Sequence, residues 1–320
     1  MANCENQLWD FVKSIEPSQS QKNGAVRSQN YLRDLLNCGQ MASRIENSYL
    51  SGSYYRDTAI YPLDDVDIIF VIDPSYWLAP PHAIENIIST VFFGEAPKFP
   101  SPSSVLRSFA RAIRYRYPAS SIFTQRRSIR LHLNHLDIDI VPAIQDKNDD
   151  SLIRIPDSRA DHWILTSPKR HSENATAVNK FQNAQFKPLV KLLKHWNGNL
   201  PSTANFKSFA IETMAIRAFR NRKFASLQEG LLQFFDFVAY VSGNKSEQGW
   251  KDKSGVSLSW LNTSIPDSAE TKSNVAAGID EERRRRFVEN ARRSREKMKD
   301  SFSAKSVETA CKRVSEALRI

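Results

Sequence analysis

Glycine is scarce in this chain, at 10 of 320 residues, which excludes collagen-like and glycine-rich low-complexity architectures. Cysteine is scarcer. Cys4, Cys38 and Cys311 are odd in number, far apart and without CxxC or Cys/His spacing, so the sequence points to a reduced, cytoplasmic setting with neither structural zinc nor redox chemistry. Long apolar runs are also missing. The greasiest stretch, Leu231–Val241, is broken by Gln233 and Asp236, and Met1–Asp10 has no basic region followed by an apolar one, which argues against a membrane span and a secretion leader. No repeat of about 20–50 residues occurs, so solenoids and propellers are set aside. GxxxxGK[ST] and GxGxxG are absent too, and with them the glycine cradles of P-loop and dinucleotide-binding folds.

The composition that remains is that of a globular protein, 41% hydrophobic and 25% charged, long enough for two domains of ordinary size. Forty-five Lys and Arg against 35 Asp and Glu give a net charge of +10 and a pI near 9.5. That excess favours polyanionic partners, whether nucleic acid, nucleotides or an anionic surface, and a merely basic solvated surface accounts for it equally.

Hydrophobic periodicity divides the chain. Residues 1–49 read as helical, with Leu8, Phe11, Val12 and Ile15 on one stripe and Val26, Tyr31, Leu35 and Leu36 on another. From Tyr49 the period shortens. Asp65–Ile72 reads as a strand, and Ser128–Leu133 with Leu136–Val141 as two strands around an Asn134-His135 turn, with a helix over Ser104–Tyr117 between. Beyond Pro142 strands are expected to give out, leaving helices over Asn174–Asn197, Ser208–Asn221 and Leu227–Val241 and a charge-laden helical tail over Ile279–Ser315. Gly243–Gly278, rich in Ser, Asn and Lys, reads as a loop or insertion. The expected fold is α+β: a core lobe of mixed sheet and flanking helices over residues 1–160, then a helical lobe over 161–320.

The chemistry concentrates in acids. In a strand, Asp65 and Asp67 point the same way while Val66, Ile68 and Phe70 turn inward. Carboxylates that close repel unless a cation lies between them, and paired carboxylates are the oxygen donors Mg²⁺ prefers. A third acid would allow two ions about 3.5–4 Å apart, the arrangement that clamps attacking and leaving oxygens in phosphoryl transfer. The second acidic strand offers Asp139, with Asp137 on the same face and Asp64 flanking the first pair. Gly52-Ser53 adds backbone N–H groups and a hydroxyl suited to a terminal phosphate.

Gly52-Ser53, eleven intervening residues, Asp65-Val66-Asp67 and a distant Asp139-Ile140-Val141-Pro142 resemble the signature of the DNA polymerase β-like nucleotidyltransferase superfamily. Lys194-His195-Trp196 is similar to the Lys-His-Trp element of 2′-5′-oligoadenylate synthetases, and Lys207–Glu212 resembles a helix start in cyclic GMP-AMP synthase and its bacterial relatives. Pro156–Arg159, Trp163–Thr166 and Pro168–His171 resemble the segment after the third acid in the bacterial CD-NTases, the cGAS/DncV-like enzymes of antiphage (CBASS) signalling.

The resemblance implies a polymerase β-like nucleotidyltransferase core with Asp65, Asp67 and Asp139 as catalytic metal ligands for two Mg²⁺ ions, Mn²⁺ being a substitute. It implies that Gly52, Ser53, Lys194 and Ser208 hold the donor triphosphate and that Phe209, where Tyr is more usual, stacks on a base. ATP and other NTPs would be the substrates and a cyclic di- or trinucleotide the product, sensed by a separate effector. An activating protein or nucleic acid is a further implied partner, and a membrane is not. A linear 2′-5′ oligonucleotide synthase, a nucleotidyltransferase toxin acting on RNA or protein, and an inert RNA-binding module compete with this reading.

Several other features have plain structural explanations. His132 and His135 read as exposed turn residues, Trp163 and Trp196 as core, and the basic run Arg283–Arg286 as an ion-paired helix face because Glu282 and Glu289 are interleaved. Lys187, Lys191 and Lys194 fall on one face of a helix, placed either for phosphate or for water.

Overall fold

A computed structural model describes residues 4–38, 41–77, 99–241, 265–271 and 273–320. The chain divides into two compact units: one of Pro17–Arg56 and Leu63–Lys169, the other of Met1–Glu16, Asp57–Pro62 and Arg170–Ile320. A single cut near residue 160 therefore does not describe the chain. The first helix, Glu5–Ser14, joins the helical unit because its apolar stripe, Leu8, Val12 and Ile15, is buried in that unit's core.

The α/β unit is built on a seven-stranded sheet of β1 (Ile45–Ser51), β2 (Asp65–Ile72), β3 (Ser121–Thr124), β4 (Ile129–His132), β5 (Asp137–Gln145), β6 (Ile153–Asp157) and β7 (His162–Thr166). The path runs β1-β2-β5-β4-β3, and β6 pairs β5 and β7. β2 and β5 are parallel, while β1 with β2 and β4 with β5 are antiparallel. The expected turn closes the β4–β5 hairpin, where the Leu133 N–H donates to the Leu136 carbonyl at 3.0 Å. Beyond Asp67, β2 is buried on both faces, as parallel strands generally are. Ile69 and Val71 pack with Ala143 and Ile153, and Phe70 meets Phe109 of the Pro102–Arg116 helix with ring centroids 6.0 Å apart.

The helical unit gathers helices Phe186–Gly198, Ser208–Phe219, Leu227–Val241, Glu281–Phe302 and Val307–Leu318 around Trp196. That indole is fully buried, edge-on to Phe235 at 5.0 Å and Phe287 at 5.4 Å, and its N–H donates to Ser294 Oγ at 3.0 Å. Leu189, Leu192, Leu193 and Trp196 form the expected apolar stripe, all buried. The acidic-basic tail is two helices rather than one. Asp280 caps the first through Arg283 N–H at 2.7 Å, and Ser306 caps the second through Thr309 N–H at 3.1 Å.

Three expectations are corrected. The N-terminal helices end at Cys38 and β1 begins at Ile45, because residues 47–51 are held by β2 and not by a stripe of their own. Strands do not give out at Pro142: β5 continues to Gln145, and β6 and β7 follow as an antiparallel pair. The cysteines are not all free thiols, since Cys4 and Cys311 form a disulfide with Cα atoms 5.3 Å apart. Cys38 is free and exposed. Much of Gly243–Gly278 lies outside the described residues, but Ile265 and Ala276 within it are core. Among the described residues no helix is long and apolar enough to cross a membrane.

Candidate active site

The parallel register of β2 on β5 sets Asp65 opposite Asp137 and Asp67 opposite Asp139. Each strand carries its acids two residues apart, so all four side chains leave one face of the sheet. Asp139 is nearly buried, at 8% exposure, whereas Asp65, Asp67 and Asp137 are half-buried. Desolvation, joined by the charges of Asp65 and Asp139, pushes the Asp67 carboxyl up to about 7 against the opposing pull of Arg56 and Arg130. Carboxylates in this relation need a cation.

Arg130 supplies one. On β4 it is the cross-strand partner of Asp139, and its guanidinium grips that carboxylate with both prongs, Nε to Oδ1 at 2.9 Å and Nη2 to Oδ2 at 2.7 Å. The same group lies 3.3 Å from Asp137 and 3.9 Å from Asp65. His132, the next outward residue of β4, meets Asp137 at 2.6 Å. Spread around Arg130, the acids do not form a ready-made nest: among the described residues no group of three or more His, Cys, Asp or Glu side chains is gathered closely enough to hold a metal ion. The donor set itself, hard carboxylate oxygens on one sheet face with Asp67 short of positive charge, suits Mg²⁺. Sequence reasoning passed over Arg130, whose place opposite Asp139 is set by the register of β4 on β5.

Gly52 lies beside these acids. β1 pairs Ser51 with Asp67, then turns sharply into a single helical turn, Gly52–Tyr55, at a glycine with φ of +71°. A Cβ there would fall 1.8 Å from Asp67 Oδ2 and 2.7 Å from Asp67 Cγ. Glycine is thus required twice, by the left-handed backbone and by the approach of the carboxylate. Ser53 follows within that turn, half-buried.

The remaining expected residues belong to the helical unit. Lys194 is buried, with its ammonium donating to the Thr58 carbonyl at 2.9 Å and Thr58 Oγ1 at 3.1 Å and standing 3.3 Å from Glu212. Lys191 is buried as well, 2.7 Å from Glu16 and 3.5 Å from Asp57, the latter also 4.0 Å from Lys187. These lysines secure Glu16 and the 57–62 segment and are not simply solvated. Ser208 opens its helix, exposed, and Phe209 rests edge-on against His171 at 4.9 Å. His171 in turn meets Asp267 at 2.6 Å. Within the Arg283–Arg286 run, Arg285 pairs with Glu282 and Glu289 and Arg286 with Glu282, while Arg283 donates to the Ser202 carbonyl at 2.6 Å and Arg284 turns inward to the Ile279 carbonyl at 3.1 Å.

A model of the Second Messenger Oligonucleotide or Dinucleotide Synthetase (SMODS) domain matches residues 2–179. The chain is 31% identical over 223 residues to a cyclic AMP-AMP-AMP synthase of Acinetobacter sp., a match covering 67% of this chain and 58% of that relative's length. Its fold is similar to that of CdnC from E. coli MS115-1, solved with ATP, at TM-score 0.71 and 18% identity over 98% of this chain and 97% of that one. The same protein solved in complex with HORMA-deltaN gives a TM-score of 0.70, with 98% and 96% of the two chains covered, also at 18% identity. The c-UMP-AMP synthase CdnE of Rhodothermus marinus matches at TM-score 0.60 and 17% identity over 93% and 96% of the two chains. With the family model covering more than half of its length and the acid-bearing strands falling inside that match, this chain belongs to the SMODS family, the bacterial CD-NTases of the DNA polymerase β-like nucleotidyltransferase superfamily.

Proposed function

We propose that the protein condenses NTPs into a cyclic di- or trinucleotide, releasing pyrophosphate, as the messenger-forming enzyme of an antiphage (CBASS) system. The observation that carries this reading is the register that sets Asp67 opposite Asp139 and Asp65 opposite Asp137, with Gly52 against Asp67. Asp65, Asp67 and Asp139 are the residues to hold two Mg²⁺ ions, with Mn²⁺ as a substitute. Bound there, the ions would neutralise charge on the reacting phosphate and on departing pyrophosphate. The chain positions and screens. The Gly52-Ser53 turn offers N–H groups and a hydroxyl to phosphate oxygens, and the Asp139 carboxylate can take the proton of the attacking ribose hydroxyl.

In the helical unit, Ser208 is the proposed phosphate contact and Phe209 the proposed base platform, its ring steadied by His171. Lys194 is proposed to reach phosphate on parting from Glu212. The relatives named as cyclic nucleotide synthases support the product class, and the solved pairing of CdnC with HORMA-deltaN supports a protein among the activators to be tested. A separate effector would read the product.

The test is to incubate the protein, alone and with candidate activators, with four labelled NTPs and Mg²⁺ or Mn²⁺, treat with phosphatase, and identify the resistant products by mass spectrometry and linkage-specific nucleases. A phosphatase-resistant cyclic product, lost in Asp65→Ala/Asp67→Ala with the fold retained, is expected. A linear 2′-5′ product, label transferred to RNA or protein, or function intact in the double variant would each replace the reading.

A further inference from the structure

Arg130 is the cation that the carboxylates of β2 and β5 already have. Its guanidinium faces three acids from two strands: both prongs on Asp139, Nη1 at 3.3 Å from Asp137 and Nη2 at 3.9 Å from Asp65. Asp65 and Asp139 are two of the three residues assigned above to the divalent ions. A carboxylate held by a charge-assisted, two-pronged hydrogen bond already has its charge matched and one lone pair on each oxygen engaged, so a metal ion must compete with the guanidinium for it. Among the described residues no three His, Cys, Asp or Glu side chains are grouped so as to hold a metal ion as they stand.

Resting on the metal-site reading above, we propose that Arg130 is an internal competitor for the divalent-ion site, a positioning residue that holds Asp65, Asp137 and Asp139 until an ion displaces its guanidinium from Asp139. Metal entry is then an exchange of one cation for another. Arg130 sits on a half-exposed edge of the cluster, its side chain 31% accessible, so it can leave by rotating outward while its strand pairing stays intact. The exchange makes ion affinity weaker than four carboxylates would otherwise give, and it keeps the acids from repelling one another before the ion arrives.

The experiment measures ion binding, not turnover. Mg²⁺ and Mn²⁺ are titrated by calorimetry into the full chain and into Arg130→Gln, with thermal unfolding followed in EDTA and at saturating Mg²⁺. Arg130→Gln is expected to bind both ions about tenfold more tightly or better, since losing the two-pronged pair removes the competing interaction. It is also expected to unfold at a lower temperature in EDTA and to gain more from Mg²⁺ than the unsubstituted chain does. Arg130→Lys, which keeps the charge and loses the fork, should fall between, and it carries the test if the Gln variant does not fold without an ion. Equal or weaker ion binding in both variants overturns the proposal and leaves the metal site standing. If no form binds either ion, or if Asp65→Asn/Asp67→Asn binds as tightly as the unsubstituted chain, the reading of the site itself falls and this inference with it.

Discussion

Gly52 shows how one missing methyl group can set a site. Its φ of +71° and the 1.8 Å at which an added Cβ would meet Asp67 Oδ2 mean that Gly52→Ala must strain the backbone and push Asp67 aside, a change expected to cost about 1–3 kcal/mol and to lower activity more than stability. Unfolding by urea alongside product formation checks this; near-normal activity would show that Asp67 can move without consequence. Asp67 itself carries the second residue-scale prediction. An acid raised from 3.8 to about 7 keeps its proton in the folded chain while the unfolded chain has lost it, so stability falls as pH climbs from about 4 to about 7 and stays low above. Asp67→Asn removes that penalty. In EDTA at pH 8 the variant is expected to melt a few degrees higher yet to bind no Mg²⁺, and a lower melting temperature at pH 8 would refute the account. For the unsubstituted protein, Mg²⁺ affinity should rise with pH over the same interval as the proton is displaced.

At the scale of elements, the strands that bear the acids were legible and several others were not. β2 and β5 announce themselves by β-branched residues alternating with aspartates, and the β4–β5 hairpin by its Asn134-His135 turn. β3 is mostly exposed, and β1 is polar at most of its positions; each is a strand because a neighbour's edge requires pairing, a property no window of its own residues contains. β6 and β7 were hidden in the same way. The site followed suit: the acids and Gly52 could be read from order and spacing, whereas the hold of Arg130 depends on register. The family resemblance implied Lys194 as a phosphate ligand, and only the fold pairs it with Glu212. That buried pair yields a third prediction. Lys194→Met takes the ammonium away from the buried Glu212 carboxylate and is expected to cost about 3–5 kcal/mol, whereas Lys194→Met/Glu212→Leu should cost distinctly less. Additive losses in chemical denaturation would show the two residues to be uncoupled.

For the whole molecule, charge is not evenly laid along the chain. From Pro102 to Leu136 there are seven arginines and no acid, and Arg107, Arg111 and Arg114 sit exposed on one helix. Retention on immobilised double-stranded DNA should therefore weaken steeply with salt, and Arg107→Glu/Arg111→Glu/Arg114→Glu should elute at clearly lower ionic strength; unchanged elution would place the basic surface elsewhere. The count of three cysteines misled at this scale as well, because the two that bond are separated by 307 positions and no spacing rule reaches that far.

That bond has a topological result. With Cys4 tied to Cys311 across 307 positions, the stretch of polypeptide between them is a covalent ring. A protease that nicks the backbone once anywhere inside the ring opens it without releasing a fragment: under non-reducing denaturation the product keeps its mass plus one water, and a thiol reagent then separates two pieces.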